Sequence, residues 1–238
     1  MDTIAEHIDA IRGRIAAAAR RSGRPAEEIT LVGVTKTHPP EAVAAALAAG
    51  LAHFGENRVQ EADAKVAALA AERGRITWHL IGHLQTNKAK RAAALFDLVH
   101  SVDSLRLAEA LDRHASSPLP ILLQVNVSGE TSKEGFDLAG WEGRPAALDA
   151  FVAEAERILA LPNLRVRGLM TVAPWGADPE LARPTFRSLR LLRDALAQRL
   201  PAGSWRELSM GMTDDFEVAV EEGATIVRVG RAIFGARG

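Results

Sequence analysis

Short β-rich runs alternate with helical patterns along most of this chain of 238 residues. Such alternation is typical of a parallel sheet whose strands are joined by crossover helices. About eight units in this length favour a closed (β/α)8 barrel of TIM type, as one domain over residues 1–238, rather than an open doubly wound sheet. The open sheet normally carries a glycine-rich fingerprint after its first strand, but here Gly33 lies inside the first run and no fingerprint follows. The predicted strands are Ile29–Thr35, Leu51–Phe54, Ile76–Ile81, Asp97–Val102, Pro120–Val127, Leu164–Thr171, Glu207–Met210 and Ala224–Val229.

An additional helix is predicted before the first strand. Four isoleucines follow one another at steps of four, three and four residues, which places them on one face of a helix. They are Ile4, Ile8, Ile11 and Ile15. The helix covers Thr3–Arg21 and is closed by Gly23. We therefore expect the barrel to carry an extra helix at its amino terminus.

Composition narrows the classes of partner and chemistry. The formal net charge is -1, so nothing in the charge balance indicates a nucleic acid or an anionic membrane as a partner. The basic run of Lys88, Lys90 and Arg91 has no interleaved aromatics and indicates a solvated helix face. No apolar run approaches the roughly 20 residues of a membrane span, and Met1–Glu6 does not look like a signal peptide. Cysteine is absent, which excludes disulfides and thiolate nucleophiles, and a cytoplasmic protein is the expectation.

Polar residues collect where the predicted strands end. In barrels of this type the chemistry takes place at the carboxyl ends of the strands. Any one of these residues can be a turn residue or a helix cap, but their convergence on one predicted face indicates a site. They are Lys36, Glu56, Asn57, His79, His83, Gln85, Asn87, Lys88, Asn126, Ser209, Arg228 and Gly230.

Lys36 is the first candidate because it ends an apolar strand, so that its stem would lie in the barrel mouth. Partial removal from water lowers the pKa of a lysine, which is the condition for a Schiff-base amine. The alternative is a lysine at a strand end that simply reaches solvent, since lysine is seldom buried. The position in the strand does not decide between these interpretations.

The second candidate is a phosphate site in the loops after the seventh and eighth strands, where barrels of this type often bind phosphate. Gly211 would allow close approach of the backbone, and the hydroxyls of Ser209 and Thr213 can donate to phosphate oxygens. The alternative is structural: Asp214 caps the following helix and Glu217 completes a capping box. In a phosphate site, the carboxylates of this loop would have to point away from the ligand.

Arg228 is a charge within a β-branched run, and a buried arginine must be paired. Its partner is either a phosphate or ring nitrogen of a ligand, or a neighbouring carboxylate.

His79 and His83 are four residues apart, a spacing that suits metal on a helix. Gly82 and the strand exit argue against a helix here, so a metal site is disfavoured.

Several motifs, in order from about residue 29 to the carboxyl terminus, resemble the pyridoxal 5′-phosphate (PLP) homeostasis protein family. Each follows the family pattern without large gaps. They are Leu31–Lys36, His53–Glu61, Trp78–Lys88, His100–Asp103, Gln124–Val127, Ser132–Phe136, Arg167–Met170, Leu208–Met212 and Arg228–Gly235.

The resemblance implies an alanine racemase N-terminal-like barrel, of PLP fold type III, with PLP bound as a Schiff base on Lys36. It places Asn57 beside the cofactor ring and Arg228 facing the cofactor. Thr213 stands where family members generally carry serine, which keeps the hydroxyl. The segment Asp137–Pro145 is richer in glycine and tryptophan than the family pattern, which leaves its conformation open. The residues that the family pattern assigns to the phosphate loops are Ser209, Gly211, Met212, Thr213, Gly230 and Arg231.

Three functions fit these residues. The first is a PLP-binding protein that buffers or delivers the cofactor, with apo forms of PLP-dependent enzymes as candidate recipients and no robust turnover. The second is an amino-acid racemase or decarboxylase, and the third is a class I aldolase-like enzyme without cofactor. Related racemases use a tyrosine and related decarboxylases a cysteine as the second catalytic group, and this chain has neither. The chain also ends at Gly238 without the second domain of those enzymes, so a monomeric carrier is the preferred hypothesis.

Two further points bear on the carrier. An arginine at the pyridine nitrogen would disfavour protonation of that nitrogen and weaken the ring as an electron sink. Lys133 and Lys88 are open as secondary acceptors of PLP.

Overall fold

Eight parallel strands close into a barrel in the computed structural model, which describes residues 3–130 and 134–235. The order around the barrel is β1, β2, β3, β4, β5, β7, β8 and β9, and β9 pairs with β1. The predicted TIM barrel is confirmed, and each predicted strand overlaps an observed one. The strands are β1 (Thr30–Val34), β2 (His53–Glu56), β3 (Thr77–Leu80), β4 (Leu98–Val102), β5 (Leu119–Asn126), β6 (Phe136–Asp137), β7 (Leu164–Met170), β8 (Glu207–Ser209) and β9 (Ile226–Val229).

The two-residue strand β6 lies outside the barrel and was not predicted. It pairs with the end of β5, with Val125 opposite Phe136 and Asn126 opposite Asp137. Gly135 has φ +118°, and a Cβ there would lie 2.7 Å from the Gln124 carbonyl oxygen. The connection after β5 is therefore laid directly against that strand, and this close approach requires glycine. Lys133 lies outside the described residues.

Nine helices surround the barrel within the described ranges. The predicted amino-terminal helix is α1, and its capping box joins the Thr3 and Glu6 side chains to each other's backbone N–H groups. A final short helix, α9, follows β9 where no element was predicted. The helices are α1 (Ile4–Arg21), α2 (Pro40–Ala48), α3 (Val59–Ala68), α4 (Ala89–Leu95), α5 (Leu105–Asp112), α6 (Pro145–Leu159), α7 (Arg183–Arg199), α8 (Phe216–Glu221) and α9 (Arg231–Phe234). None of them combines the length and the apolar character that crossing a bilayer requires.

Apolar side chains fill two regions. The larger lies between the strands and the helices and includes the buried isoleucines of α1. The smaller lies inside the barrel, where Val32, Leu122, Met170 and Ile226 pack together. Because side chains alternate along a strand, every second residue after these four also faces the interior. The residues that line the interior between this apolar layer and the carboxyl ends of the strands can therefore be identified from the sequence.

Candidate functional site

Lys36 lies at the mouth of the barrel, two positions beyond the end of β1. Val32 belongs to the interior layer, so Val34 and Lys36 continue on the same face. The side chain is partly buried. Thr37, the next residue, has φ +67°, a conformation that β-branched residues rarely adopt. The chain therefore turns sharply away immediately after Lys36 and leaves this lysine at the rim.

A chain of hydrogen bonds crosses the barrel interior below the mouth. His53 Nδ1 lies 3.0 Å from His79 Nε2, and His79 Nδ1 lies 2.8 Å from His100 Nε2. His100 Nδ1 is 2.8 Å from Ser209 Oγ, to which Arg228 donates at 2.5 Å. His79 had been expected at the exit of its strand, but it is buried within β3 and belongs to this interior chain. We call these five residues the histidine relay.

The imidazoles of the relay are held in their neutral form. Burial, together with a smaller contribution from the neighbouring His53, lowers the pKa of His79 to about 3. Burial also holds the pKa of His100 well below its ordinary value, with smaller contributions from His79 and Arg228. The pKa of His53 is lowered by burial as well. Charging any of them would place a cation in a desolvated interior that already holds a guanidinium.

Arg228 is the only charge in the histidine relay and is almost fully buried. Its second Nη atom donates to the Thr171 carbonyl oxygen at 2.9 Å. Of the two alternatives left open for its partner, a carboxylate contact is not found among the described residues, and Asp215 acts on Arg228 only through its charge. Burial lowers the pKa of Arg228 to about 10, so the guanidinium stays charged at neutral pH. It thus presents a fixed positive charge beneath the mouth.

Asn57 follows β2 at the mouth and carries an unsatisfied atom. Gly55 faces Val32 in the interior, so Asn57 shares that face. Its Oδ1 is buried without a hydrogen-bond partner among the described residues. A Cβ at Gly82 would lie 2.4 Å from the Asn57 carbonyl oxygen, so the loop after β3 can pack on Asn57 only with glycine there. An unsatisfied buried polar atom costs about 1–3 kcal/mol, which makes Asn57 a ready partner for a ligand.

The loop between β8 and α8 is folded on itself by Asp215. The Met212 N–H donates to Asp215 Oδ1 at 2.6 Å, and burial raises the pKa of that carboxyl. Gly211 adopts φ +92°, and its carbonyl oxygen accepts the Arg228 N–H at 3.0 Å. A cavity of about 560 Å³ lies beside this loop and is lined in part by Thr213 and Arg231.

The capping box that was the structural alternative for this loop does not form at α8. The helix begins at Phe216, and Glu217 instead contacts Arg14 on α1. Asp214 pairs with Arg231 at 2.5 Å. The helix starts one residue later than the box requires, because the loop first closes through Asp215. The carboxylates of Asp214 and Asp215 thus already have partners within the protein.

Ser209 and Gly230 are the remaining residues assigned to the phosphate loops. The Ser209 hydroxyl is fully buried in the histidine relay, where it bonds to His100 and Arg228 rather than pointing into the loop. Gly230 precedes α9, and a Cβ there would lie 3.2 Å from the Val34 carbonyl oxygen. Gly230 therefore lies against the end of β1, and the ion pair between Asp214 and Arg231 joins the two loops.

We expect Gly211→Ala to destabilise the protein by about 1–3 kcal/mol, because a side chain at φ +92° is strained. The added Cβ would also lie 2.5 Å from Ala219 Cβ and 2.9 Å from Phe216 Cα. Urea denaturation measures the loss. The control is Gly74→Ala, where no atom lies within 4 Å. Equal stability of the two variants would contradict the close packing of the loop.

A buried ion pair lies behind the mouth and was not expected. Lys65 Nζ on α3 lies 2.6 Å from Glu56 Oε1 and donates to the Thr35 carbonyl oxygen at 2.6 Å. Thr35 Oγ1 donates to the same Glu56 oxygen at 2.5 Å. Burial nevertheless raises the pKa of Glu56. Glu56, grouped with the mouth residues by sequence, faces the helix layer and supports the backbone next to Lys36.

A second cavity, of about 230 Å³, opens at the mouth over the ends of β3, β5 and β7. His83 lies at its rim, with Nδ1 3.0 Å from Glu134 and 3.2 Å from Asp103. The amide groups of Gln124 and Asn126 donate to backbone carbonyl oxygens of the loop after β5. Across residues 3–130 and 134–235, no group of three His, Cys, Asp or Glu side chains is arranged to hold a metal ion.

Comparison with known proteins places this barrel in a class. The sequence profile of the alanine racemase N-terminal domain matches residues 7–238. The parallel barrel, with its candidate site at the carboxyl ends of the strands, is therefore of the alanine racemase N-terminal type. The pyridoxal phosphate homeostasis proteins of Pseudomonas aeruginosa and Escherichia coli K12 are 44% and 41% identical to this chain, over 100% of it and over 97% and 98% of their own lengths. The chain belongs to the pyridoxal phosphate homeostasis protein family.

Solved structures agree with this assignment. PipY of Synechococcus elongatus PCC7942 has a TM-score of 0.81 without PLP and 0.79 with PLP bound, at 41% and 42% identity. Both matches cover 94% of this chain and 100% of PipY. Alanine racemase of Clostridium difficile 630 has a TM-score of 0.72 at 15% identity, covering 99% of this chain and 57% of the racemase, which shows a shared fold alone.

Proposed function

We propose that this protein binds PLP as a Schiff base on Lys36 and buffers or delivers it within PLP homeostasis, without robust turnover of its own. The names of its full-length relatives and the PLP-bound structure of PipY support the cofactor. When bound, PLP supplies an aldehyde that condenses with an amine. Direct delivery to apo-enzymes and a monomeric state are part of the same proposal.

The position of Lys36 is the observation that carries the proposal. The chain has five lysines. Lys65 is buried in its ion pair with Glu56, and Lys88 and Lys90 lie at the start of α4. Among the described lysines, only Lys36 follows closely on a barrel strand and lies at the mouth. Lys36 is partly buried at the mouth, so its amine is placed to attack the aldehyde of a cofactor bound there.

The other mouth residues fit the same cofactor. The unsatisfied Oδ1 of Asn57 leaves an amide in need of a partner beside Lys36. Gly211 lets its loop pack closely on α8, and Gly230 lets its loop pack closely on the end of β1. Arg228 supplies a fixed positive charge, which disfavours protonation of a pyridine nitrogen placed near it. A ring held in that state is a weak electron sink, as expected for a carrier.

The mouth also offers little to an amino-acid substrate. No lysine or arginine lines the 230 Å³ cavity among the described residues, so a substrate carboxylate would meet no cation there. The Gln124 and Asn126 amides are already bonded to backbone. General acid–base work needs a free group within hydrogen-bond reach, and His83 is held between two carboxylates.

The test begins with visible absorbance of the purified protein, followed by borohydride reduction and mass mapping of the modified peptide. We expect a yellow protein with its reduced adduct on Lys36. Lys36→Ala should lose the absorbance completely, whereas Lys90→Ala, which removes an exposed lysine of α4, should keep it. Circular dichroism of both variants checks that the fold is unchanged.

A colourless protein that gains no absorbance with added PLP would overturn the proposal, as would an adduct only on other lysines. Racemisation of alanine is then measured on the loaded protein. We expect no more than the trace rate of free PLP, and turnover at ordinary enzyme rates would contradict the carrier function while leaving the Schiff base intact.

A further inference from the structure

A cavity of about 500 Å³ lies at the amino-terminal end of the barrel, opposite the mouth. Its walls come from the segment between α1 and β1, from α7, and from the starts of β8 and β9. This volume is within the range of small-molecule pockets. Nothing in the proposed PLP site reaches this end of the barrel.

Four arginines line this distal cavity. Arg24 comes from the segment before β1, Arg190 and Arg193 from α7, and Arg206 from the residue before β8. The side chains of Arg24, Arg190 and Arg193 are only 20%, 34% and 23% exposed. The pKa of Arg24 is lowered mainly by burial and also by the charge of Arg193. Two guanidinium groups therefore repel each other across a partly desolvated space.

The carboxylates around the cavity offset this charge only in part. Arg193 Nε donates to Asp194 Oδ1 at 2.6 Å, and Asp194 lies outside the cavity lining. Glu207 is one of two acidic lining residues, and it is already engaged by Arg167 at 3.0 Å and by the Thr225 hydroxyl at 2.7 Å. The other, Glu28, is 58% exposed and lies 3.7 Å from Arg24.

The two remaining guanidinium groups also keep capacity for a ligand. Arg190 shares Glu222 with Arg183, which lies closer to it. Arg206 is exposed and makes no ion pair with any residue of the described ranges. Arg206 thus brings to the cavity a positive charge that no carboxylate of the described ranges neutralises, and the shared or single contacts of Arg190 and Arg193 leave further N–H donors for a ligand.

We propose that the distal cavity binds the phosphate dianion of a small phosphorylated metabolite. Guanidinium groups present paired N–H donors that match phosphate oxygens, and they are the usual residues for this recognition. Arg24 is pre-positioned for that role, because its Nη1 donates to the Val220 and Ala224 carbonyl oxygens at 3.0 and 2.9 Å. A concave pocket on a chain with a net charge of -1 favours a small molecule over a nucleic acid.

The experiment uses inorganic pyrophosphate and inorganic phosphate as probes. Arginines are modified with a dicarbonyl reagent with and without probe, and each site is quantified by mass spectrometry. We expect saturable protection of Arg193 and Arg206, with sulfate at equal ionic strength giving much less. Protection of Arg231 reports the mouth separately, so the outcome does not depend on PLP binding. Absence of saturable protection at Arg193 and Arg206 would overturn the proposal.

Two double variants test the same site by a second method. Calorimetric affinity for pyrophosphate should fall at least about tenfold in Arg193→Gln/Arg206→Gln, because two charge-assisted contacts are removed. The matched control, Arg106→Gln/Arg157→Gln, removes the same charge from the exposed faces of α5 and α6. An equal loss in the control would show that only the overall charge matters and would refute a built site. Thermal unfolding without probe confirms that both pairs are folded.

Discussion

Lys65→Met is expected to destabilise the protein by about 3–5 kcal/mol at neutral pH, because it leaves the Glu56 carboxylate buried without a counter-charge. Both side chains of the pair are almost completely buried, and Glu56 Oε2 already lacks a partner. The Thr35 carbonyl oxygen would lose its lysine donor as well. Urea denaturation at constant pH measures the change in the free energy of unfolding.

The double variant Lys65→Met/Glu56→Gln identifies the cause. Removing both charges should recover at least about half of the loss, since an uncharged pair avoids the desolvation penalty. Lys65→Met alone should also lose less stability as the pH falls, because protonation of Glu56 in the folded state removes the buried charge. Lys90→Met on α4 is the control and should stay within about 0.5 kcal/mol of wild type. No recovery in the double variant would show that packing, rather than charge, sets the cost.

Acidification should destabilise the fold through the histidine relay. The folded pKa of His79 is about 3, against 6.5 for an ordinary histidine. Below pH 6.5 the unfolded chain takes up a proton that the folded protein does not, so stability falls as the pH decreases toward 3. His79 alone should cost about 2 kcal/mol between about pH 7.5 and about pH 5, and the lowered pKa of His100 acts in the same direction.

The measurement compares urea denaturation at the two pH values for wild type, His79→Gln and His114→Gln. His79→Gln should show a pH dependence smaller by about 2 kcal/mol, while the exposed His114 should make no difference. The raised pKa values of Glu56 and Asp215 oppose the effect and are common to all three proteins. Should His79→Gln fail to fold, histidine NMR of wild type decides, and protonation of His79 near pH 6 would refute the buried neutral imidazole.

Sequence patterns predicted the architecture well because short β-rich runs alternate with helical patterns along the chain, and this alternation matches the order of strands and helices in the barrel. They failed where a position depends on tertiary contacts. The pair Phe136–Asp137 has no periodicity of its own and becomes a strand only by lying along β5. The capping box failed because Asp215, rather than Asp214, closes the loop before α8. The spacing of residues along the chain does not show which of the two aspartates closes the loop.

The candidate site was predictable in part. Lys36, Asn57 and the phosphate loops follow from strand ends and from family motifs, and their roles stay predictions. His53, His100 and Lys65 had no sequence signal as a set, because they are far apart in the chain. Strand alternation would have placed His79 on the interior face, but the contact with His53 and His100 depends on the stagger between β2, β3 and β4. That stagger is a property of the closed barrel.

The histidine relay also has a polarity. Arg228 can only donate, so Ser209 Oγ accepts from it and has its own proton left for His100 Nδ1. His100 then carries its proton on Nε2 and gives it to His79, which does the same to His53. All three rings are thereby fixed as the same tautomer, and the hydrogen bonds all point the same way along the relay, from Arg228 to His53. An event that pulls Arg228 toward the mouth would be felt at His53, four hydrogen bonds along the histidine relay, as a change in proton sharing.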